Sequence, residues 1–385
     1  MGAQVRTFYE FFAGGGMARA GLGEGWRCLF ANDFDERKAA TYVANWGAGH
    51  LVVEDVAKVK VAALPGEADL AWASFPCQDL SLAGDGAGLK GHRSGSFWPF
   101  WRLVEKLVIQ GRPPSIVVLE NVCGALTSHG GTDFAAICTA LAKSGYVFGA
   151  MVLDAIHFLP QSRPRLFIVG IRRELAISNT LLGAGPLAPW HTQGVFGAFQ
   201  KLPAKCKANW VWWLLPGAPA RTIALEDVIE MNPSSVKWHT GAETKRLLGM
   251  MSDLHLGKVA AALRSGKRNV GCIYKRMRLD EYGERVQRAE VRFDGISGCL
   301  RTPVGGSSRQ ILIEIEANKI NTRLLSPREA TRLMGLPDSY ILPERYNDAY
   351  HLAGDGVAVP VVRFLAHHLL EPLLKSVKSE RRVAA

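Results

Sequence analysis

Two strand-end motifs carry the side chains best suited to chemistry. In Ser74-Phe-Pro76-Cys77-Gln78 a cysteine follows an apolar run and a proline. Pro76 ends the strand and holds Cys77 in a rigid turn at the sheet's C-terminal edge. A thiol placed there can act as a nucleophile; the commoner fate of a cysteine is to be buried in the core. In Glu120-Asn121-Val122 a carboxylate emerges from the apolar strand 115–119. Partial burial would raise its proton affinity and suit it to giving up a proton, whereas an exposed strand-end glutamate is the plainer reading. Gln161-Ser-Arg163-Pro-Arg165 precedes another strand and is expected to place two guanidiniums on one face. They could grip a phosphate or a base carbonyl, or form an ordinary surface salt bridge.

A third motif belongs to a ligand. Phe11-Phe12-Ala-Gly14-Gly-Gly16-Met17 follows the first strand directly. Glycines there let the backbone approach a bound molecule and turn into a helix. Asp33, 19 residues after Gly14, closes the second strand, where a carboxylate can bond ribose hydroxyls. Glu54-Asp55, in the next connection, could meet an adenine amino group. The set reads as a nucleoside cofactor site without the Gly-x-Gly-x-x-Gly spacing of a pyrophosphate site. A dehydrogenase or a merely structural glycine turn stays open on these residues alone.

The elements that must position these motifs alternate along residues 1–175. Strand-like runs at 6–12, 26–32, 68–74, 115–120 and 165–171 are separated by helical patterns such as 97–110 and 132–144. That alternation predicts an α/β fold with a mainly parallel, doubly wound sheet and ligands at the strand C-terminal ends. From about 176 the pattern breaks into Gly/Pro-interrupted sequence, a cluster of Trp210, Trp212 and Trp213, and basic, weakly periodic sequence to about 310. The tryptophans are expected in a core, as large rings usually are, rather than on a base-stacking surface. Ser326-Pro-Arg-Glu329 has N-cap, first-turn proline and capping-box spacing and predicts a helix start. A further helical run covers 359–374, and the charged tail from 375 onward is expected to be disordered.

Charge follows the same division. Residues 1–175 carry a net +1, and residues 176–385 carry +10 of the total +11. Nine Lys/Arg fall between Arg264 and Arg292. Such a basic segment suits a polyanion, although a solvated basic face would look the same. The seven cysteines show no Cys-x-x-Cys spacing, which argues against a zinc site or a disulfide framework and for a reducing compartment. No metal is expected. No apolar run approaches the roughly 20 residues of a membrane span, and the N-terminus does not read as a secretion signal. The expected location is cytoplasmic, or nuclear in a eukaryote.

Taken in order, these motifs resemble the DNA cytosine C5-methyltransferase family. The resemblance rests on Phe-Ala-Gly-Gly-Gly, Asn32-Asp33, Asp55, Pro76-Cys77-Gln78, Glu120-Asn121-Val122 and Gln161-x-Arg163-x-Arg165. It continues through Ser326-Pro-Arg-Glu, Gly335-Leu-Pro-Asp338-Ser and Gly354-Asp355-Gly356-Val357. It covers the chain except about 176–295, where that family holds its variable target recognition domain.

The resemblance implies a Rossmann-like methyltransferase sheet with an inserted smaller domain. The corresponding boundaries are 1–175 and 311–375 for the catalytic domain, 176–310 for target recognition, and 376–385 for a tail. It implies S-adenosylmethionine as cofactor, double-stranded DNA as substrate, a monomer, and a cognate restriction endonuclease as a partner to look for. Cys77 would add to cytosine C6, Glu120 would bond N3 and the exocyclic amine, and Arg165 would hold O2. Arg163 would support the site, and Asn121 would fix the Pro76–Cys77 turn. The cofactor would lie along Phe12, Gly14, Gly16, Met17, Asp33, Asp55, Val56, Phe75 and Phe97, with Asp355 near its methionine end. Ser81 and the glycine-rich stretch that includes Arg93 would close behind a flipped base. Arg264, Lys275, Arg276 and Arg309 would meet DNA.

Two positions depart from the family pattern. Ser74 replaces a usual glycine, and Asp355 replaces a usual asparagine. Asp355 could favour the cofactor's ammonium and oppose its carboxylate, or it could cap the helix beginning near Val359. Rival readings are an RNA cytosine methyltransferase on the same scaffold, a catalytically silent DNA-binding module, and a nicotinamide oxidoreductase. The large basic segment 176–310 disfavours the first. Intact Cys77, Glu120 and Arg165 disfavour the second, and the third leaves Pro-Cys-Gln unexplained.

Overall fold

The computed structural model describes residues 5–76, 96–301 and 309–376, which fall into two units. Cys77, Ser81 and Arg93, the glycine-rich stretch from 79 to 95, the Gly305–Ser308 segment and the tail from 377 lie outside the described residues.

The first unit comprises Met1–Asp154, Pro164–Ala218 and Val357–Ala385. It is built on seven strands: β1 Arg6–Phe11, β2 Trp26–Asp33, β3 Leu51–Val53, β4 Leu70–Ala73, β5 Ile116–Val122, β6 Tyr146–Asp154 and β7 Pro164–Arg172. Their order is β3-β2-β1-β4-β5-β7-β6. The first five are parallel, and β7 runs antiparallel between β5 and β6. The central strands are apolar on both faces because helices cover both.

Helices α1 Met17–Leu22, α2 Glu36–Trp46, α3 Phe97–Ile109 and α4 Thr132–Lys143 connect the strands. Helix α3 buries Phe97, Phe100, Trp101, Leu103, Val104 and Leu107, a stripe at helical spacing that faces the sheet. As expected, the tryptophans are core. Trp213 is buried, and Trp210 and Trp212 pack against the apolar cluster that lines the sheet. Their anchoring places residues up to 218 in this unit rather than in an inserted domain beginning at 176.

The second unit comprises Ala155–Arg163 and Pro219–Gly356. Helices α5 Gly241–Gly249 and α6 Asp253–Arg264 pack beside a sheet of β8 Asn269–Leu279, β9 Arg285–Arg292, β10 Ile311–Glu316 and β11 Lys319–Leu324. The sheet is antiparallel in the order β9-β8-β10-β11. Because β10 and β11 complete it, residues 311–324 belong here and not to a returning catalytic segment. Its core joins Ile273, Ala289, Val291, Ile311 and Ile313 to Leu247, Met251 and Val259. Ser326 caps α7 Pro327–Arg332 through the expected capping box with Glu329, and α8 Tyr346–Asp355 ends the unit.

One helical stretch, Tyr346–Ser376, has the length and hydropathy of a membrane span, but 61% of its apolar window is buried inside the protein, as in a core helix.

Candidate active site

The glycine turn forms where β1 ends. Phe12, Gly14 and Gly16 adopt φ of 57°, 55° and 77°, the left-handed region in which glycine costs least. A Cβ on Gly16 would come within 2.4 Å of Trp46 Nε1, so only glycine fits beneath that ring. Among the described residues beyond its chain neighbours, no atom lies within 4 Å of where a Cβ on Gly14 would point.

Asp33 ties the turn to β2. Its Oδ2 accepts from Gly14 N at 2.7 Å and its Oδ1 from Asp35 N at 2.9 Å. Burial pushes the Asp33 carboxyl above its ordinary range, with Lys38 and the two amides opposing. Asn32 donates to the carbonyls of Val52 and Glu54, fixing the next connection. Asp55 there is exposed and accepts from Ala57 N. Met17, Val56, Phe75 and Phe97 are core side chains, with Phe75 and Phe97 rings 5.4 Å apart. Phe34, directly after Asp33, is 67% exposed. Sequence reasoning passed over it, although an aromatic beside a ribose-type carboxylate is a visible signal for base stacking.

The second cluster lies where β5 meets β7. Antiparallel register pairs Val122 with Arg165 and so puts Glu120 diagonal to Arg165 on the same face. Arg165 Nε lies 3.4 Å from Glu120 Oε1, with both side chains largely buried. Asn121 donates through Nδ2 to the Phe75 carbonyl at 3.1 Å and accepts from Val122 N. It thereby holds the backbone two residues before Cys77. A carboxylate and a turn-fixing amide at the end of one strand, with a guanidinium at the start of its neighbour, can orient a planar heterocycle and move a proton.

Arg163 immediately precedes β7. Strand alternation begins only at Pro164, and Arg163 belongs to the other unit. There it is 2% exposed and donates to the carbonyls of Leu300, Gly354 and Gly356 at 2.9, 2.7 and 2.7 Å. Those bonds make it a brace for its own unit rather than a grip on a phosphate or base. Gln161 braces the same region through Leu333 and Leu300. Asp355 is exposed at the last position of α8. Ala358 occupies the N-cap of the helix Val359–Leu365, which has no side-chain cap bond, so the expectation that Asp355 caps it is not met.

The basic residues divide by their surroundings. Arg264 is exposed in the last turn of α6. Lys275 and Arg276 lie on β8. Arg309 is tied down, bonding Asn347 and lying over the Tyr346 ring. The β8–β9 ribbon adds what composition alone did not reveal. Arg276 and Arg288 face each other directly across the strands, with Arg278 beside them on the same face. Arg276 stacks 4.4 Å over Tyr274, and Arg278 Nε bonds Glu290 at 2.6 Å. Although burial opposes it, bonds from Arg278 and Tyr274 hold Glu290 below the usual carboxylate range. Like charges directly opposite are destabilising, and here one carboxylate, Glu290, serves Arg276 and Arg278 on a mostly exposed face that also carries Arg288.

Comparison with known proteins agrees with this geometry. The sequence model described as C-5 cytosine-specific DNA methylase matches residues 6–371. Similar relatives include the Type II methyltransferase M.BsuFI of Bacillus subtilis, 28% identical over 96% of this chain and 73% of the relative. M.HhaI of Haemophilus parahaemolyticus is 25% identical over 94% and 93%. Among solved structures, the Entamoeba histolytica methyltransferase EhMeth superposes with a TM-score of 0.63 at 15% identity, covering 97% and 98% of the two chains. S. pombe Dnmt2 gives 0.57 at 16% identity over 96% and 99%. At such identities the structures speak for the fold.

Proposed function

Because the chain belongs to the C-5 cytosine-specific DNA methylase family, and is thus an enzyme that methylates cytosine C5, we propose that it works through Cys77 on a base flipped out of double-stranded DNA. The observation that carries the reading is the strand-end cluster. Glu120 and Arg165 meet at 3.4 Å, while Asn121 holds the Phe75 carbonyl just before Cys77.

The chemistry requires these groups. Cytosine C5 is a poor nucleophile, and addition of the Cys77 thiolate to C6 moves electron density onto it. Glu120 bonds N3 and the exocyclic amine and delivers a proton to N3, neutralising the adduct as it forms. Arg165 holds O2 in the plane of the ring. S-adenosylmethionine, when bound, supplies an electrophilic methyl group and departs as the thioether. Solvent water takes the C5 proton, whose electron pair returns to the ring and expels the Cys77 thiolate, and Glu120 takes back the N3 proton so that neutral 5-methylcytosine is released. A stacked base offers neither face of its C5–C6 bond, which is why it must leave the helix.

The residues of the glycine turn fit that donor. Asp33 offers a buried acceptor for ribose hydroxyls, Phe34 an exposed ring for adenine, and Asp55 an exposed carboxylate for an amino group. The second unit would read the target sequence, with Arg276, Arg278 and Arg288 on its ribbon as phosphate or base contacts in addition to Arg264 and Lys275. The Type II relatives favour a role in restriction and modification beside a cognate endonuclease. Methylation-sensitive sequencing of DNA from cells expressing the chain or its Cys77→Ala variant tests the whole reading. Methylated cytosine in one short motif, lost in the variant, is the expected result; no new 5-methylcytosine would refute it.

A further inference from the structure

Glu10 is a buried carboxyl that the reaction above does not use. It is the penultimate residue of β1, 1% exposed, directly under the glycine turn. Helix α1 starts at Gly16, which has no side chain to serve the first-turn amides. Glu10 Oε1 serves one of them from below, accepting from Arg19 N at 3.2 Å. Its other oxygen, Oε2, is buried with no hydrogen-bond partner among the described residues.

Helix α2 and the segment after it connect this carboxyl to the turn. The Arg19 guanidinium lies 4.9 Å over Trp46 and bonds Tyr42 Oη and His50 Nε2. Tyr42 Oη in turn meets His50 at 3.0 Å and Cys28 Sγ at 3.7 Å. Trp46 Nε1 donates to the Gly15 carbonyl at 3.0 Å, so the helix that holds Arg19 also grips the turn. Asp33, which binds Gly14 N, is close enough to act on Glu10 electrostatically. Among the described residues, the charged and titratable groups around Glu10 are therefore Arg19, Asp33, Cys28, Tyr42 and His50. Arg363, from the C-terminal helix packed on α1, is committed to the Leu22 carbonyl.

We propose that Glu10 is a positioning residue that links proton release to the binding of S-adenosylmethionine. The inference rests on the glycine turn being the cofactor cradle. Burial pushes the Glu10 carboxyl up to about 8, with the Arg19 amide and guanidinium opposing and Asp33 adding to the rise. The free protein therefore holds this proton at neutral pH. S-adenosylmethionine carries a sulfonium and an ammonium against one carboxylate, a net positive charge that its thioether product lacks. A cation arriving at the turn favours the carboxylate form of Glu10, and the proton leaves to solvent. By reciprocity, raising the pH towards about 8 tightens S-adenosylmethionine and leaves S-adenosylhomocysteine nearly unchanged.

The test is the dissociation constant of each ligand between about pH 6 and 9, for the full chain and for Glu10→Gln. The cofactor's own ammonium titrates identically with both proteins, so the difference between them isolates Glu10. In the wild type the preference for S-adenosylmethionine over S-adenosylhomocysteine should grow by about fivefold or more across that range. In Glu10→Gln that growth should be missing, leaving only the titration of the ligands' own ammonium groups. Calorimetry of the wild type in buffers of different ionisation enthalpy gives a second readout should the variant fold poorly, with proton release on binding S-adenosylmethionine expected. Tight binding with a pH-independent preference and no proton release would overturn the proposal and leave the cradle intact. Failure of either ligand to bind at any pH would overturn both.

Discussion

Arg323 and Glu329, in the second unit, meet through two nitrogens at 2.7 and 2.6 Å with neither side chain exposed. Arg165 and Glu120, in the first, meet through a single nitrogen at 3.4 Å near a strand end. The tight pair is also bonded by its surroundings on both sides. Glu329 accepts from Ser326 N and Glu230 N, and Arg323 donates to the carbonyls of Leu324 and Glu230. Every bond in that network is spent on holding a helix start to a sheet edge. The looser pair lies at the strand end whose Asn121 holds the backbone that leads into Cys77, and catalytic contacts often tighten when a ligand binds. Two buried ion pairs of the same chemistry thus differ in geometry and place: one joins a helix start to a sheet edge as a brace, the other lies at the strand end that leads towards Cys77.

The comparison breaks most readily at the brace. Glu329→Ala leaves Arg323 buried without its partner and should cost about 3–5 kcal/mol of stability, read by denaturant or thermal unfolding. A loss below about 1 kcal/mol would show that the network is not structural. At the strand-end pair the effect should move from stability to rate. Glu120→Gln keeps the shape but cannot deliver a proton, so single-turnover methylation should fall by roughly 10²–10⁴-fold with unfolding and DNA affinity near wild type. Equal losses of stability at both sites would erase the distinction.

A smaller contrast sets the arginines of the ribbon against one bonded to a side-chain amide. Arg276→Ala or Arg288→Ala should make the dependence of DNA binding on salt shallower, by about 0.9 in slope for each phosphate left without its cation. Arg309→Ala, whose guanidinium already serves Asn347 and Tyr346, should change that slope less. The reverse order would move the DNA surface away from the ribbon.

The legible part of the molecule was the part with local rules. Buried parallel strands read as apolar runs, their ends carried Gly14, Asp33 and Glu120 at the sheet edge, and the Ser326–Glu329 capping box marked a helix start. Strand direction was not legible. Nothing in the periodicity of β6 and β7 distinguishes an antiparallel hairpin from another parallel crossover. The second unit's sheet was missed because β8 and β9 run out of their core into solvent on both faces, so apolar alternation fades after Ile273. Its boundaries were missed because they depend on long-range partners, the tryptophans for one unit and the pairing of β10 and β11 for the other. The same holds for Arg163, whose partners Leu300, Gly354 and Gly356 are distant in sequence. Phe34 and Glu10 were visible as residues, but only burial showed one to be exposed and the other to be enclosed.

The central claim is that Cys77 forms a covalent bond to the target base. Trapping on duplex DNA carrying 5-fluorocytosine at the methylated position, with S-adenosylmethionine present, reads that bond directly, because fluorine blocks the final elimination. The wild type should yield a denaturation-resistant protein–DNA adduct and Cys77→Ala none. An adduct that persists in Cys77→Ala would contradict the account.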